Sequence, residues 1–531
     1  MTKTFRGWTT PRPRPSGAAR EQADVVVIGS GIGGLSCGAL LAKYGLKVIV
    51  CESHDIPGGA AHAWVQQGYH FESGPSLYSG MAARGRGANP IAHVLQALGE
   101  ELDLIEYDDW QVLLPEGTFM TKVGSESFEE VLQQVNPGAI SEWKELQKVM
   151  KPLAKAATAL PPMAMRADPF VAVTALARYA PQLLSTGPAA LKLLGPFSNV
   201  IEGVIKDPFI RNWLDLLCFL LSGLPANGTI AAEVAFMFAE WYRPGAKLEF
   251  PRGGSQGIIK ALVRGLNKHG GRLMLRSHVD QVNMTNGRAT GVTLSNGTQI
   301  AASKAVVSNA SMWDTLELLP VHARPQSMTE TARETPKNRS FMHLHAGFDA
   351  TGMPDPGLHH IVVPSWEGGV DAEQSVVLIS IASCMDPSLA PPGKHTLHAY
   401  LPATEPYELW QGLQRGSAEY EELKAQRGEV LWKAVERIIP DIRERCEVSM
   451  IGTPLTHQHF LRRHQGTYGP GIVAGKGTFP APITPIPGLL CCGDSTFPGI
   501  GVPAVAASGA VAANTLASPW AHWKLLDAIG T

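Results

Sequence analysis

An α/β fold is predicted for this chain by three stretches, two near its start and one near its end. The first is the apolar run Val25-Val26-Val27-Ile28 leading into Gly29-Ser30-Gly31-Ile32-Gly33-Gly34. It reads as a buried strand, a glycine turn and the start of a helix that Gly45 stops. The second is Lys47 to Cys51, a strand ending at Glu52, and the third is Leu489 to Cys492, ending in Gly493-Asp494 ahead of a small-residue helix, Ala504 to Leu516. Strand, turn, helix and strand in this order make the βαβ unit of a Rossmann-like sheet.

Each part of that unit has a physical task. Gly29 permits the tight turn, Gly31 lets a pyrophosphate approach the backbone, and Gly34, next to Gly33, lets the helix pack closely on the strand. The unpaired N–H groups and positive dipole end of the helix face the phosphates. Glu52, followed by Ser53, stands where a carboxylate holds both hydroxyls of an adenosine ribose, which requires a free 2′-OH. A second glycine pair, Gly58-Gly59 followed by Ala60, suits a larger, permanently seated cofactor and favours FAD over NAD. The short strand from Tyr69 closes on Gly74-Pro75-Ser76, returning the chain to the cofactor, and Val279 opens a further strand beside it. At the far end Gly493 and Asp494 are placed to meet a ribityl hydroxyl, while the helix start at Gly501-Val502 is placed to stabilise negative charge on a reduced flavin ring.

The chain has 531 residues, enough for two joined domains. Its 45 basic and 47 acidic residues give a net charge of -2, which removes the electrostatic case for nucleic acid. Seven cysteines without metal-type spacing read as thiols of a reducing compartment. The first twenty residues are basic, hydroxylated, rich in proline and free of acids, so they read as a disordered tail, either a transit-peptide remnant or a plain flexible leader. No stretch has the eighteen or so uninterrupted apolar residues of a membrane span.

Along the chain the cofactor domain is assigned to residues 23–84, 246–312 and 456–518, following a disordered tail at 1–22. An α+β substrate domain takes 85–245 and 313–455, and 519–531 form a C-terminal tail. Strands are expected at Gln111 to Leu114, Val376 to Ile381 and His395 to Tyr400, and a helix at Tyr420 to Ile438. Between Pro169 and Ile201 there is no acid, only Arg178 and Lys192, and the stripe Leu194, Phe197, Ile201 and Val204 has helical spacing. Such a stripe is either core or an apolar, membrane-facing surface. Asp207-Pro208 caps a following helix, on which Asp215 lies away from the apolar stripe. The next helix, Ile230 to Tyr242, carries Glu233 and Glu240 on one side among apolar residues, and buried acids need a reason.

With both ends read, the chain resembles the carotenoid isomerase branch of the phytoene desaturase-related FAD-dependent oxidoreductases. The likeness runs over roughly residues 22–516. It includes Ser308-Asn309-Ala310-Ser311-Met312-Trp313-Asp314-Thr315, the stretches Ser388 to His395 and Gly452 to His457, Gly466-Thr467-Tyr468-Gly469-Pro470, and the Gly-Asp-Ser-Thr-Phe-Pro-Gly run from 493. It implies a flavoprotein that takes a long polyene from a membrane surface, in a plastid or on the cytoplasmic side of a bacterial membrane, and isomerises poly-cis carotenoids such as prolycopene. A polyene has no acidic proton and no carbonyl, so rotation about a double bond requires its bond order to be lowered for a time. Reduced flavin chemistry without net oxidation does this, and Glu240, Glu233 and Asp215 are candidates for a carboxyl that protonates the polyene or steadies a carbocation. Two departures stand out: Ile500 where relatives commonly carry glutamine, and Asp215-Leu216-Leu217-Cys218 where they show Asp-Ala-Glu-Cys. A desaturase or saturase, a polyene hydratase and a carotenoid-binding protein with structural FAD remain the competing readings. His457 and His459 have no further ligand at metal spacing, so no metal is expected, and no Gly-x-Ser-x-Gly elbow points to a hydrolase.

Overall fold

The computed structural model describes residues 20–531, and the leader before Arg20 lies outside them. Two seven-stranded sheets organise the chain. In the first, Arg20–Ile28 lies between Gln299–Ser308 and Val48–Cys51, parallel to both, and Val48–Cys51 pairs in turn with Arg272–Met274. The antiparallel strands Val279–Thr285 and Arg288–Leu294 extend the far side, and Leu489–Cys491 joins the last residues of Gln299–Ser308 in parallel. The central strand is buried on both faces, as its unbroken apolar run requires. Val25 and Val27 pack under the helices Ile32–Lys43, Ser255–Lys268 and Val502–Leu516, whereas Val26 and Ile28 pack against Val282, Val292 and Leu489.

The second sheet runs Cys446–Gly452, Ser340–Asp349, Lys394–Glu405, Val377–Ser380, His359–Val362, Asp109–Leu114 and Gly117–Lys122. Only His359–Val362 and Asp109–Leu114 pair in parallel. On Ser340–Asp349 the residues Met342, Leu344, Ala346 and Phe348 face the helix Ala418–Glu436 through Leu431 and Val435. The alternate residues therefore point to the opposite face, which carries His343 and His345. The helices Ser125–Val135, Ile140–Ala157, Pro208–Ser222 and Ala231–Trp241 form a cap around Phe128, Trp143, Trp213 and Tyr242. Asp207 begins Pro208–Ser222 by accepting from the Ile210 amide at 3.0 Å.

Three sequence expectations change. The first strand starts at Arg20, because it gains a partner in Gln299. Residues 519–531 are no tail: Pro519–Ile529 is a helix whose Leu525, Leu526 and Ile529 join the core beside the cofactor sheet. The acid-free stretch is broken into Phe170–Leu184, Ala189–Lys192 and Ser198–Ile201, and its stripe does not form one face. Phe197 and Ile201 are buried while Leu194 is 68% exposed, so most of that stripe is core. Among the described residues no helix is long and apolar enough to cross a membrane.

Packing at the glycine turn leaves no room for a side chain. A Cβ on Gly34 would collide with the Gly29 carbonyl oxygen and crowd Asn309, so the helix Ile32–Lys43 lies against its strand only because that atom is missing. Gly34→Ala is expected to push the helix away, lower stability by about 1–3 kcal/mol and reduce retained flavin, as read by denaturant unfolding and by absorbance of the purified protein. Wild-type stability and flavin content in that variant would show that the close approach is not needed.

Candidate functional site

A single cavity of about 1010 Å³ runs from the glycine turn to the helical cap. Its first part is walled by Gly29, Gly31, Gly33, Glu52, Ser53, Gly58, Gly59, Ala60, Gly74, Pro75, Ser76, Val279, Gly493, Asp494, Gly501 and Val502. Gly34 stands behind this wall, in contact with the turn itself. Two helix starts open onto it. Gly31 and Gly501 are the N-caps of Ile32–Lys43 and Val502–Leu516, and neither helix has a side-chain cap, which leaves first-turn N–H groups for an anion. At Gly501 the backbone has φ +100°, a conformation that side chains resist.

Glu52 is buried and already oriented. One carboxylate oxygen accepts from the amide of Ser30 at 2.8 Å and its hydroxyl at 2.6 Å, and the other accepts from the His54 amide at 2.8 Å. Asp494 accepts from Arg463 at 2.6 Å, and Arg463 is itself fixed by the carbonyls of Thr467 and Tyr468. Asn309 lies at the centre of the turn, donating its amide to Ile28 at 2.8 Å while Gly31, Gly33 and Gly493 crowd its side chain. Sequence reading assigned Asn309 and Arg463 no role. The signal for Asn309 was its place after the last residue of a buried strand, the same position relative to its strand as Glu52.

The far part of the cavity is apolar, lined by Leu217, Leu220, Leu221, Phe236 and Met237. Glu233 and Glu240, on Ala231–Trp241, both reach it. Glu233 accepts no hydrogen bond from the described residues, and burial pushes its carboxyl up to about 7. Glu240 is also raised by burial, but it accepts from Ser79 at 2.6 Å and Asn89 at 3.0 Å. Asp215 is not brought to the cavity. Its carboxylate is raised by burial and accepts from the Ala226 amide at 2.8 Å, closing the loop after Pro208–Ser222. Ile500 is buried and lines the wall close to Gly469.

On the sheet side of the cavity stand histidines that the sequence left scattered. His343 touches His398 at 2.8 Å and His457 at 2.5 Å through its two ring nitrogens, and His345 lies beside His398. Burial holds all four rings in the neutral form, with His345 lowered to about 4 and His457 to about 3. This corrects the expectation that His457 has no companions: they come from Ser340–Asp349 and Lys394–Glu405, where His345 and His398 are direct cross-strand partners.

The sheet, the two uncapped helix starts and the strand-end acid define a dinucleotide-binding oxidoreductase. The chain belongs to the flavin-containing amine oxidoreductase family, which matches residues 32–517. It is 33% identical over 516 residues to prolycopene isomerase 1, chloroplastic, of an Oncidium hybrid cultivar, covering 94% of this chain and 84% of that protein. It is 31% identical over 521 residues to the chloroplastic prolycopene isomerase of Daucus carota, covering 94% and 81%. An oxidoreductase structure from Methanosarcina mazei superposes with a TM-score of 0.58 at 19% identity, covering 91% of this chain and 98% of that one. The cofactor is FAD. The cavity fits it by size, by the bare glycine backbone at Gly31 and by the pre-oriented Glu52.

Glu52→Ala removes a charge-assisted acceptor worth about 1.5–3 kcal/mol. FAD affinity is expected to fall on the order of tenfold to a hundredfold, measured by flavin retained on dialysis. Unchanged retention would take Glu52 out of the cofactor site.

Proposed function

We propose that the protein is an FAD-dependent cis–trans isomerase acting on poly-cis carotenoids such as prolycopene, with no net redox change. The observation that carries this reading is the continuity of one cavity from the glycine turn to an apolar chamber holding a partnerless carboxyl, Glu233. Similarity to prolycopene isomerases over nearly the whole chain supports it independently. Bound FAD, when reduced, supplies the electron density that lowers the order of a polyene double bond.

The chain's own residues do the rest. Gly29, Gly31, Gly33 and the start of Ile32–Lys43 take the pyrophosphate, Glu52 the ribose, and Asp494 with Arg463 the ribityl side. Leu217, Leu220, Leu221, Phe236 and Met237 exclude water from the polyene. Glu233, neutral up to about pH 7, is placed to lend a proton or steady positive charge, and Glu240 supports it from a fixed hydrogen-bonded position. Asp215 has a structural role in this reading.

A second reading is favoured by the same Glu233: a neutral carboxylic acid facing an apolar chamber also suits acid-catalysed addition of water. Anaerobic incubation of FAD-loaded protein with poly-cis carotenoids separates the two. An isomerase returns product of unchanged mass and altered geometry, a hydratase product heavier by water, a desaturase or saturase product shifted by two hydrogens, and a binding protein no turnover. With Glu233 acting as an acid, the rate falls as pH rises through about 7, because its proton is lost there, and Glu233→Gln lowers the rate and abolishes that limb. An unchanged pH profile in Glu233→Gln would remove the residue from the chemistry.

The protein is further proposed to act at a membrane surface in a plastid, as the chloroplastic names of its relatives suggest. Leu176, Leu184 and Leu191 are 72%, 83% and 75% exposed on the acid-free stretch, together with Val173 and Leu194. Replacing Leu176, Leu184 and Leu191 by serine is expected to release the protein from liposomes while FAD content stays the same. Equal liposome binding by that variant would place the contact elsewhere.

A further inference from the structure

The imidazoles on the sheet side of the cavity are unlike an ordinary buried polar cluster. His343, His345 and His398 are all buried, and each offers a ring nitrogen within 4.8 Å of the others. They sit on two adjacent antiparallel strands, Ser340–Asp349 and Lys394–Glu405, so the sheet itself fixes their spacing. His345 donates its Nε2–H to the Glu72 carbonyl at 2.8 Å. That bond sets the tautomer, leaving Nδ1 as a lone pair turned away from the carbonyl, and backbone or carboxylate anchoring of the second ring nitrogen is the usual arrangement of a metal-ligating histidine.

Hydrogen bonding within the cluster does not satisfy it. His457, His343 and His398 form a ribbon in which His343 uses both nitrogens. The centroids of the two pairs are 4.7 and 5.1 Å apart with interplanar angles of 5° and 19°, so the rings meet edge to edge rather than face to face. Three neutral rings carry three N–H groups, and the two contacts use only two of them. The third N–H is left at one end of the ribbon and a bare lone pair at the other. The Nδ1 atoms of His398 and His457, those two ends, are both buried without a partner. Both ends point away from the His343–His398 contact, so what bears on a ligand is the meeting of three buried imidazole nitrogens within 4.8 Å.

We propose that His343, His345 and His398 form a binding site for one first-row divalent transition metal ion, at the wall between the second sheet and the cofactor cavity. Neutral imidazole nitrogen suits Zn(II), Fe(II) and Co(II), and binding to rings already neutral releases no proton. The fit needs movement in both directions: two nitrogens on a tetrahedral ion with bonds of about 2.0–2.1 Å are about 3.3 Å apart, whereas His343 and His398 meet at 2.8 Å and the three nitrogens spread over as much as 4.8 Å. The set leaves coordination positions open. Because His343 lines the cavity, the ion stands beside the chamber and adds positive charge to its wall.

The site is independent of the isomerase reading, since its readout is metal and not turnover. Equilibrium dialysis of FAD-loaded, full-length protein against Zn(II) or Co(II), followed by elemental analysis, is expected to give one ion per chain. His345→Gln and His398→Gln should each lower uptake at least tenfold with flavin content unchanged. Should a variant fail to hold flavin, the wild-type protein decides: X-ray absorption of bound Co(II) with a shell of imidazole nitrogens supports the site, whereas an all-oxygen shell overturns it. Wild-type protein that takes up no ion, or variants that take up as much as the wild type, would also overturn it and leave the histidines a hydrogen-bonded ribbon.

Discussion

The close backbone contact between two helices is the constraint on which the rest depends. Ile32–Lys43 and Val502–Leu516 touch at Gly33 and Gly509, where a Cβ on Gly509 would meet the Gly33 carbonyl, and a Cβ on Gly33 would meet Asn309 and the Gly493 backbone. Because nothing but hydrogen lies between these backbones, both helix starts open onto one space. A helix separated by ordinary side chains would lie several ångströms further out, and its dipole end would no longer share that space. The run Ala506 to Ala513, with its small residues, reads as an adaptation to this contact rather than as a membrane segment.

The two sheets divide the labour. The first is buried on both faces and supplies strand ends, where Glu52, Asn309 and Asp494 project. The second has one face against Ala418–Glu436, and its other face, rich in rings, forms a wall of the chamber. Glu405, fully buried at the end of Lys394–Glu405, accepts from Arg427 at 2.7 Å and from Trp410 at 2.9 Å. A buried ion pair of this kind adds little net stability, because its desolvation offsets much of its attraction.

Much of this was legible in the sequence because it is local. Glycine spacing, strand-end acids and the Asp207-Pro208 cap each act within a few residues, and Glu233 and Glu240 share a helix face by simple periodicity. What escaped reading is what the fold brings together from afar. His343 and His345 show the alternation of a strand, yet only cross-strand pairing reveals His398 beside them. Asp215 looked like a channel acid, but its carboxylate is occupied by an amide eleven residues on, a contact fixed by the loop after its helix. The stripe from Leu194 to Val204 had helical spacing, but Gly195-Pro196 interrupts it, so Phe197 turns inward while Leu194 stays out.

The shared cavity also ties the lifetime of the protein to cofactor supply. The opening at the cofactor end is continuous with an apolar half that adjoins the core of the cap. A ligand that binds only the folded chain stabilises it by about 4 kcal/mol when present at a thousand times its Kd, a large part of the margin that keeps a protein folded. Chains made while flavin is scarce therefore spend more time open to proteolysis. The amount of enzyme in a cell then follows the flavin pool as well as the rate of synthesis.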